Sequence, residues 1–210
     1  MIKAVLFDLD GTLINTNELI VNTFQYIFKK HLNIDVDRKE ITDNFGELLS
    51  DTIERYAPND VEFMVKKYKE YNEIMHDELT MPIIGVKEGI KKLRDSGYKM
   101  GIVTSKRRAM TEKGLRLFDL YDDMDVIVTP EDTKRHKPEA DPILKACELL
   151  KLNVDEVIMV GDTHNDILGG KAAKCKTCLV RYTGAPLDKL LELEPDYVID
   201  SIDEVLDIIK

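Results

Sequence analysis

The sequence lacks three features that each indicate a class of protein: a basic excess, a long apolar run and a framework of cysteines. The 210 residues hold 30 Lys and Arg against 40 Asp and Glu, a formal net charge of −10. Nucleic acid is therefore an unexpected partner, because binding to phosphate backbones requires a basic surface. No apolar run approaches the ~18 residues that suggest a membrane-spanning helix, so no membrane partner is expected either.

Cysteine is scarce as well. The three cysteines, Cys147, Cys175 and Cys178, are an odd number, which favours a reducing compartment over a disulfide framework. The first residues lack the form of a signal peptide, so we expect a cytoplasmic protein. Cys175 and Cys178 have the C-x-x-C spacing of redox or zinc sites, but no second pair accompanies them. A structural role is the favoured interpretation of that spacing.

Short β-rich runs alternate with amphipathic helical patterns along most of the chain, which predicts an α/β fold with a doubly wound parallel sheet. The predicted strands are Ala4–Asp8, Lys99–Thr104, Val126–Thr129, Val157–Gly161, Thr177–Val180 and Tyr197–Ile199. The predicted helices are Lys87–Asp95, Arg108–Arg116, Pro142–Leu150, Asp166–Ala173, Pro186–Leu191 and Ile202–Ile209.

The stretch from about Ile14 to Met81 interrupts this alternation and shows no clear strand. Apolar residues recur there at three- and four-residue spacing, from Leu19 to Phe28 and again from Val61 to Met75, as in amphipathic helices. We therefore predict a catalytic core of residues 1–13 and 83–210, with an all-helical cap of residues 14–82 inserted directly after the first strand.

Four predicted strand ends finish in polar groups suited to phosphoryl transfer. Asp8 and Asp10 close the first strand; alone they would be a weak signal, because Asp-Gly is also a common turn pair. The others are Thr104, Ser105 and Lys106 after the second strand, Lys137 after the third, and Asp162 and Asp166 after the fourth. A parallel sheet brings all its carboxyl ends to one edge, so we expect these groups to meet there.

The chemistry of such a group is consistent. A carboxylate can attack phosphorus and split one difficult hydrolysis into two easier steps. Because phosphate and carboxylate repel each other, the attack needs a divalent cation and a lysine. Mg²⁺ prefers oxygen ligands, few protein carboxylates and retained waters, which predicts Mg²⁺ as the cofactor. Asp10, near the leaving oxygen, could protonate it and later activate water.

Together these motifs resemble those of the haloacid dehalogenase (HAD) superfamily, in the same order along the chain. The resemblance covers Asp8-Leu-Asp-Gly-Thr12, Thr104, Lys137-Pro138 and Gly161-Asp-Thr-His-Asn-Asp166. It implies a Rossmann-like core with a helical cap and a Mg²⁺-dependent phosphatase.

The same resemblance implies roles for single residues. Asp8 is the implied nucleophile and Asp10 the general acid/base, with its backbone carbonyl on the metal. Thr104 is implied to bind the phosphoryl group and Lys137 to balance its charge. Asp162 is the implied metal ligand, with Asp166 as a support or second acidic ligand. Besides Thr104, the candidate substrate-binding residues are Ser105, Lys106 and Asn15.

Within the superfamily the chain is similar to the phosphoglycolate phosphatase group, and within that group to a bacterial inorganic pyrophosphatase. The expected substrate is a small phosphorylated molecule, pyrophosphate in preference to phosphoglycolate or another phosphomonoester. A phosphosugar mutase and a phospho-acceptor module of the receiver kind are the alternatives. A receiver carries its acceptor on an internal strand and has no helical insertion after strand one, which disfavours it. The sequence leaves monomer and dimer open.

Overall fold

The computed structural model describes every residue from Met1 to Lys210. The strands are β1 (Ala4–Phe7), β2 (Ile14–Asn15), β3 (Met81–Pro82), β4 (Lys99–Val103), β5 (Val126–Val128), β6 (Val157–Gly161), β7 (Lys176–Val180) and β8 (Tyr197–Ile199). The α-helices are α1 (Asn17–Leu32), α2 (Arg38–Thr42), α3 (Leu49–Tyr56), α4 (Val61–Leu79), α5 (Val86–Asp95), α6 (Arg108–Leu117), α7 (Asp141–Leu150), α8 (His164–Ala173), α9 (Leu187–Leu191) and α10 (Val205–Ile209).

Six of the strands form one parallel sheet in the order β5-β4-β1-β6-β7-β8. This confirms the predicted α/β doubly wound fold, and each of the six predicted strands is found to within one residue at either end. The strand order reverses beside β1, between its neighbours β4 and β6. Open α/β sheets bind their ligands at such a reversal, outside the carboxyl ends of the strands.

Apolar side chains cover both faces of the sheet. In β1, Val5 and Phe7 belong to one buried cluster while Ala4 and Leu6 belong to another, because successive side chains of a strand point to opposite faces. The two cysteines of the C-x-x-C sequence are divided in the same way, Cys178 in the first cluster and Cys175 in the second. Both thiols are free and buried. They pack against opposite faces of the sheet and form no common site.

Helices α1 to α4, hereafter the cap helices, lie between β1 and α5 and have a hydrophobic cluster of their own. Val21, Phe24 and Phe28 lie on one stripe of α1 and are buried, and the ring of Phe24 lies 4.7 Å from that of Tyr68 on α4. Such a stripe of i, i+3 and i+4 positions stabilises a helix mainly through packing. The assignment of residues 14–82 as a separate domain stays a prediction.

The expectation that residues 14–81 contain no strand is wrong at both ends of the segment. β2 and β3 pair antiparallel, with Ile14 opposite Pro82 and Asn15 opposite Met81. Each strand has only two residues, which is too short for any alternation of polar and apolar side chains to appear in the sequence. This ribbon joins the cap helices to the sheet. None of the helices combines the length and the apolar character needed to cross a bilayer.

Candidate active site

The turn after β1 positions the first acidic side chains. The Asp8 amide donates to the Val160 carbonyl at 2.9 Å, which extends the β1–β6 pairing to the last residue before the turn. Gly11 then adopts a φ of +78°, a conformation that residues with a Cβ rarely adopt. The chain thus reverses directly beyond Asp8 and Asp10, and both side chains line the same cavity.

Lys137 lies at the centre of the site. Its side chain is only 4% exposed, and its ammonium is 2.8 Å from Asp8 Oδ1 and 2.6 Å from Asp166 Oδ1. It also donates to the Val103 carbonyl at 2.7 Å. Burial disfavours the charged amine, but attraction by Asp166 and Asp8 outweighs this and raises the pKa of Lys137 above its ordinary value. Lys137 is therefore a fixed positive charge that bridges the ends of β1, β4 and α8.

Asp166 is held on both oxygens. Its Oδ2 accepts from the backbone and the hydroxyl of Thr163, at 2.9 and 2.8 Å, in a capping box that begins α8. Its Oδ1 accepts from Lys137. A fully buried carboxylate with these partners orients the lysine while it caps the helix.

Asp162, the residue directly after β6, is 2% exposed and has no ammonium or guanidinium partner. Thr12 donates to its Oδ1 at 3.3 Å, and Thr183 donates to its Oδ2 at 3.3 Å and to its backbone carbonyl at 2.7 Å. Burial, together with repulsion from Asp166 and Asp8, raises the pKa of Asp162 well above its usual range. Hydroxyl donors alone leave the negative charge of this carboxylate uncompensated.

The three carboxylates converge: Asp8, Asp162 and Asp166 each offer an oxygen, and these oxygens lie within 4.8 Å of one another. Burial raises the pKa of Asp8 to about 6, against the attraction of Lys137, and Asp166 and Asp10 add to the rise. Three carboxylates and one ammonium together leave an excess of about two negative charges, which one divalent cation would balance. Hard oxygen donors of this kind suit Mg²⁺, so the residues present fit the ion expected from the sequence.

Asp10 is engaged by a second lysine. Lys106 Nζ lies 2.8 Å from Asp10 Oδ1 and 3.2 Å from Oδ2, and the Lys106 side chain is 10% exposed. The Lys106 amide also donates to Thr104 Oγ1 at 3.1 Å. Thr104, Lys106 and Asp10 therefore form one connected group beside Asp8.

A cavity of about 640 Å³ opens above these groups, with the sheet edge as its floor and the cap helices as its roof. Three polar contacts hold the roof near the floor. The Asn165 side-chain amide donates to the Gly46 carbonyl, Arg107 pairs with Glu73 at 2.8 Å, and Lys113 pairs with Asp77 at 3.0 Å. The cap helices thus extend over the cavity, an arrangement that can limit the access of water to a group bound there.

Most of the candidate site residues from the sequence line this cavity. They are Asp8, Asp10, Thr104, Ser105, Lys106, Lys137 and Asp162. Asp166 lies directly beneath them. Asn15 does not line the cavity: its Oδ1 accepts from the Asn17 amide at 3.1 Å, at the start of α1. Asn17 lines the cavity instead. The roles assigned to all these residues stay predictions.

Sequence reasoning missed the residues that the cap helices contribute. The face of α4 toward the cavity is formed by Val65, Tyr68, Lys69 and Asn72. Their i, i+3, i+4 and i+7 spacing was available in the sequence, but it is also the spacing of a packing stripe. Thr183, whose hydroxyl donates to Asp162, lies beyond β7, and no motif or spacing in the sequence indicates this contact.

Gly11→Ala tests how closely the turn fits the acidic cluster. A Cβ at Gly11 would lie 2.2 Å from Asp162 Oδ2, and the positive φ adds strain of about 1–2 kcal/mol. We expect loss of most catalytic activity and a lower melting temperature. Gly97→Ala is the matched control, because Gly97 has a φ of +85° with no atom within 4 Å of its Cβ position. It should be destabilised through strain alone and keep full activity; equal activity losses in the two variants would contradict the fit.

Comparisons with known proteins place the chain in a family. Residues 5–180 match the profile of the family described as haloacid dehalogenase-like hydrolase. The chain is 45% identical, over its whole length and 98% of the relative, to a Clostridium perfringens protein provisionally named pyrophosphatase PpaX. It is 44% identical to the pyrophosphatase PpaX of Halalkalibacterium halodurans, over 99% of this chain and 97% of that one. A haloacid dehalogenase-like hydrolase structure from Streptococcus pneumoniae superposes with a TM-score of 0.90 at 25% identity, over 100% and 99% of the two chains.

Proposed function

The chain belongs to the haloacid dehalogenase-like hydrolase family, and from that membership we propose a Mg²⁺-dependent pyrophosphatase that works through a phosphorylated Asp8. The observation that carries the proposal is the convergence of Asp8, Asp162, Asp166 and Lys137 beneath a covered cavity. Pyrophosphate is favoured because relatives at 44% identity over nearly the whole chain carry the name pyrophosphatase.

In the proposed first step, an Asp8 oxygen attacks one phosphorus of pyrophosphate and the bond to the bridging oxygen breaks. The bridging oxygen keeps the electron pair and takes a proton from Asp10 as phosphate leaves. In the second step Asp10 accepts a proton from water, the water oxygen attacks the phosphorus, and the bond to Asp8 breaks. Asp8 is thereby restored as a carboxylate, and the net reaction is hydrolysis.

The side chains around Asp8 have distinct proposed tasks. Lys137 offsets charge on the transferring phosphoryl group, and Thr104 binds one of its oxygens. Asp8, Asp162 and the Asp10 carbonyl would hold Mg²⁺, which supplies charge neutralisation when bound. Both Asp166 oxygens already accept hydrogen bonds, which favours a role in orienting Lys137 over direct ligation.

The cellular setting proposed for this activity is the cytoplasm. The three cysteines are free and buried, and burial raises the pKa of Cys147 to about 11. Thiols of this kind are consistent with a reducing compartment.

A phosphate-release assay tests the proposal. We expect Mg²⁺-dependent hydrolysis of pyrophosphate ahead of phosphoglycolate, sugar phosphates and nucleotides, abolished by a chelator and restored by Mg²⁺. Asp8 has a pKa of about 6 in the free protein, so protons compete with the cation below that pH. The Mg²⁺ concentration for half-maximal activity should therefore rise as the pH falls from 7 to 5. Full activity in the presence of chelator would contradict the proposed cofactor.

A further inference from the structure

The cations that line the cavity differ in whether they are already paired. They are Lys69, Lys106, Arg107 and Lys137. Three of the four have a carboxylate within 3 Å: Lys137 pairs with Asp8 and Asp166, Lys106 with Asp10, and Arg107 with Glu73. Lys69 has no ion pair and donates no hydrogen bond to any group of the protein. It is the one lysine or arginine at the cavity whose charge is free for a ligand.

Lys69 belongs to the roof of the cavity. It lies on the face of α4 formed by Val65, Tyr68, Lys69 and Asn72, and its side chain is exposed at the rim. The neighbouring Tyr68 lines the same cavity as Asp10. Glu73 of α4 pairs at 2.8 Å with Arg107, the residue directly after the lysine that holds Asp10. This face of α4 therefore stands above the Asp10 side of the floor, where the leaving group of a phosphoryl transfer would depart.

We propose that Lys69 is a specificity residue that selects substrates whose leaving group carries negative charge. The inference rests on the proposed phosphatase function and deepens it. The phosphoryl group that is transferred contacts Lys137 on the floor of the cavity, whereas the leaving group contacts the roof of the cavity. When pyrophosphate is cleaved, the departing group is itself a phosphate, and a free ammonium at the rim can bind it.

The rest of the roof explains why this one charge would matter. Ile20, Phe24, Leu49 and Val65 line the roof with apolar side chains, and its polar side chains are neutral, namely Asn17, Asn44, Ser50, Thr52 and Asn72. Its one acidic residue, Glu47, is negative and pairs with Arg55, so Lys69 is the only positive charge of the roof. A neutral leaving group could pack against the apolar side chains without help from a lysine. An anionic one would lose its hydration there and needs a positive partner. The preference for charged over neutral leaving groups should therefore depend on Lys69.

The test compares Lys69→Met with the wild-type enzyme on three substrates: pyrophosphate, phosphoglycolate and ethyl phosphate. The first two have an anionic leaving group and the third a neutral one. We expect kcat/KM to fall about 10- to 100-fold for the two anionic cases, the usual effect of losing a hydrogen bond to a charged group. Ethyl phosphate should be hydrolysed at the wild-type rate. Lys66→Met is the matched control, because Lys66 is exposed on the same helix but does not line the cavity. This variant should keep the wild-type kcat/KM for all three substrates.

Each outcome decides the inference. Equal losses on all three substrates, or no loss on any, would overturn it. A wild-type enzyme that hydrolyses phosphoglycolate but not pyrophosphate would refute the proposed substrate, while a Lys69-dependent preference for phosphoglycolate over ethyl phosphate would still support the inference. Calorimetric binding of imidodiphosphate, a non-hydrolysable analogue, to the Mg²⁺-loaded proteins needs no turnover. The same Kd for wild type and Lys69→Met would overturn the role of Lys69.

Discussion

Asp8→Asn is expected to lower phosphate release from pyrophosphate by at least about 10⁴-fold while the protein stays folded, as for the loss of other catalytic nucleophiles. The amide keeps the size of the carboxylate, and its oxygen can still accept from Lys137. It lacks the charge and the nucleophilic oxygen needed to form a bond to phosphorus. Replacing a buried charge with a neutral group also removes a desolvation penalty, so we expect the melting temperature to be unchanged or higher.

An acid quench during turnover separates loss of the nucleophile from loss of binding. Wild-type protein should carry a phosphoryl adduct on the peptide that contains Asp8, detected by mass spectrometry, and Asp8→Asn should carry none. Asp10→Asn is the control, since it removes the proposed proton donor but leaves the nucleophile in place. It should lose turnover, form the adduct more slowly because the leaving oxygen has no proton donor, and retain the adduct because no base activates the attacking water. Activity of Asp8→Asn within tenfold of wild type would exclude Asp8 as the nucleophile.

The sheet and its acidic edge were predictable because they depend on local signals. The run Val157–Gly161 is apolar throughout, as in a strand covered on both faces, and it forms β6 with those bounds. Once six such strands are placed in parallel, topology brings their carboxyl ends together. Asp8, Lys137 and Asp162 could therefore be grouped without any knowledge of side-chain positions.

The partners of these residues were not predictable, because they depend on tertiary packing. The sequence indicates Lys106 as a candidate substrate-binding residue, which stays a prediction, but it gives no sign that the Lys106 ammonium lies 2.8 Å from Asp10. The side of α4 that faces the cavity is set by how α4 packs on α1, which sequence periodicity cannot distinguish from a stripe buried in the cap. Thr183 reaches Asp162 across 21 residues of chain, a contact that no spacing rule indicates.

The loss of Lys137 is expected to have the second largest effect, on stability as well as on activity. Lys137→Met removes the only ammonium in contact with Asp8 and Asp166 and keeps most of the volume of the side chain. Breaking a buried ion pair by removing one partner typically costs about 3–5 kcal/mol. Turnover should fall at least about 10²-fold, since the charge that stabilises the transferring phosphoryl group is lost.

The stability loss should depend on pH in a direction that the carboxylates determine. The pKa of Asp8 in the folded protein is already raised from 3.8 to about 6, and removal of the ammonium raises it further. A raised folded-state pKa means that the folded protein binds more protons than the unfolded chain, so stability falls as the pH rises between the two values. Urea unfolding in chelator should therefore show a larger deficit for Lys137→Met at pH 8 than at pH 5. Lys134→Met changes an exposed lysine of the same loop, and its free energy of unfolding should equal that of the wild type at pH 5 and at pH 8. A Lys137→Met deficit that is equal at both pH values, or absent, would mean that Lys137 does not neutralise the buried carboxylates.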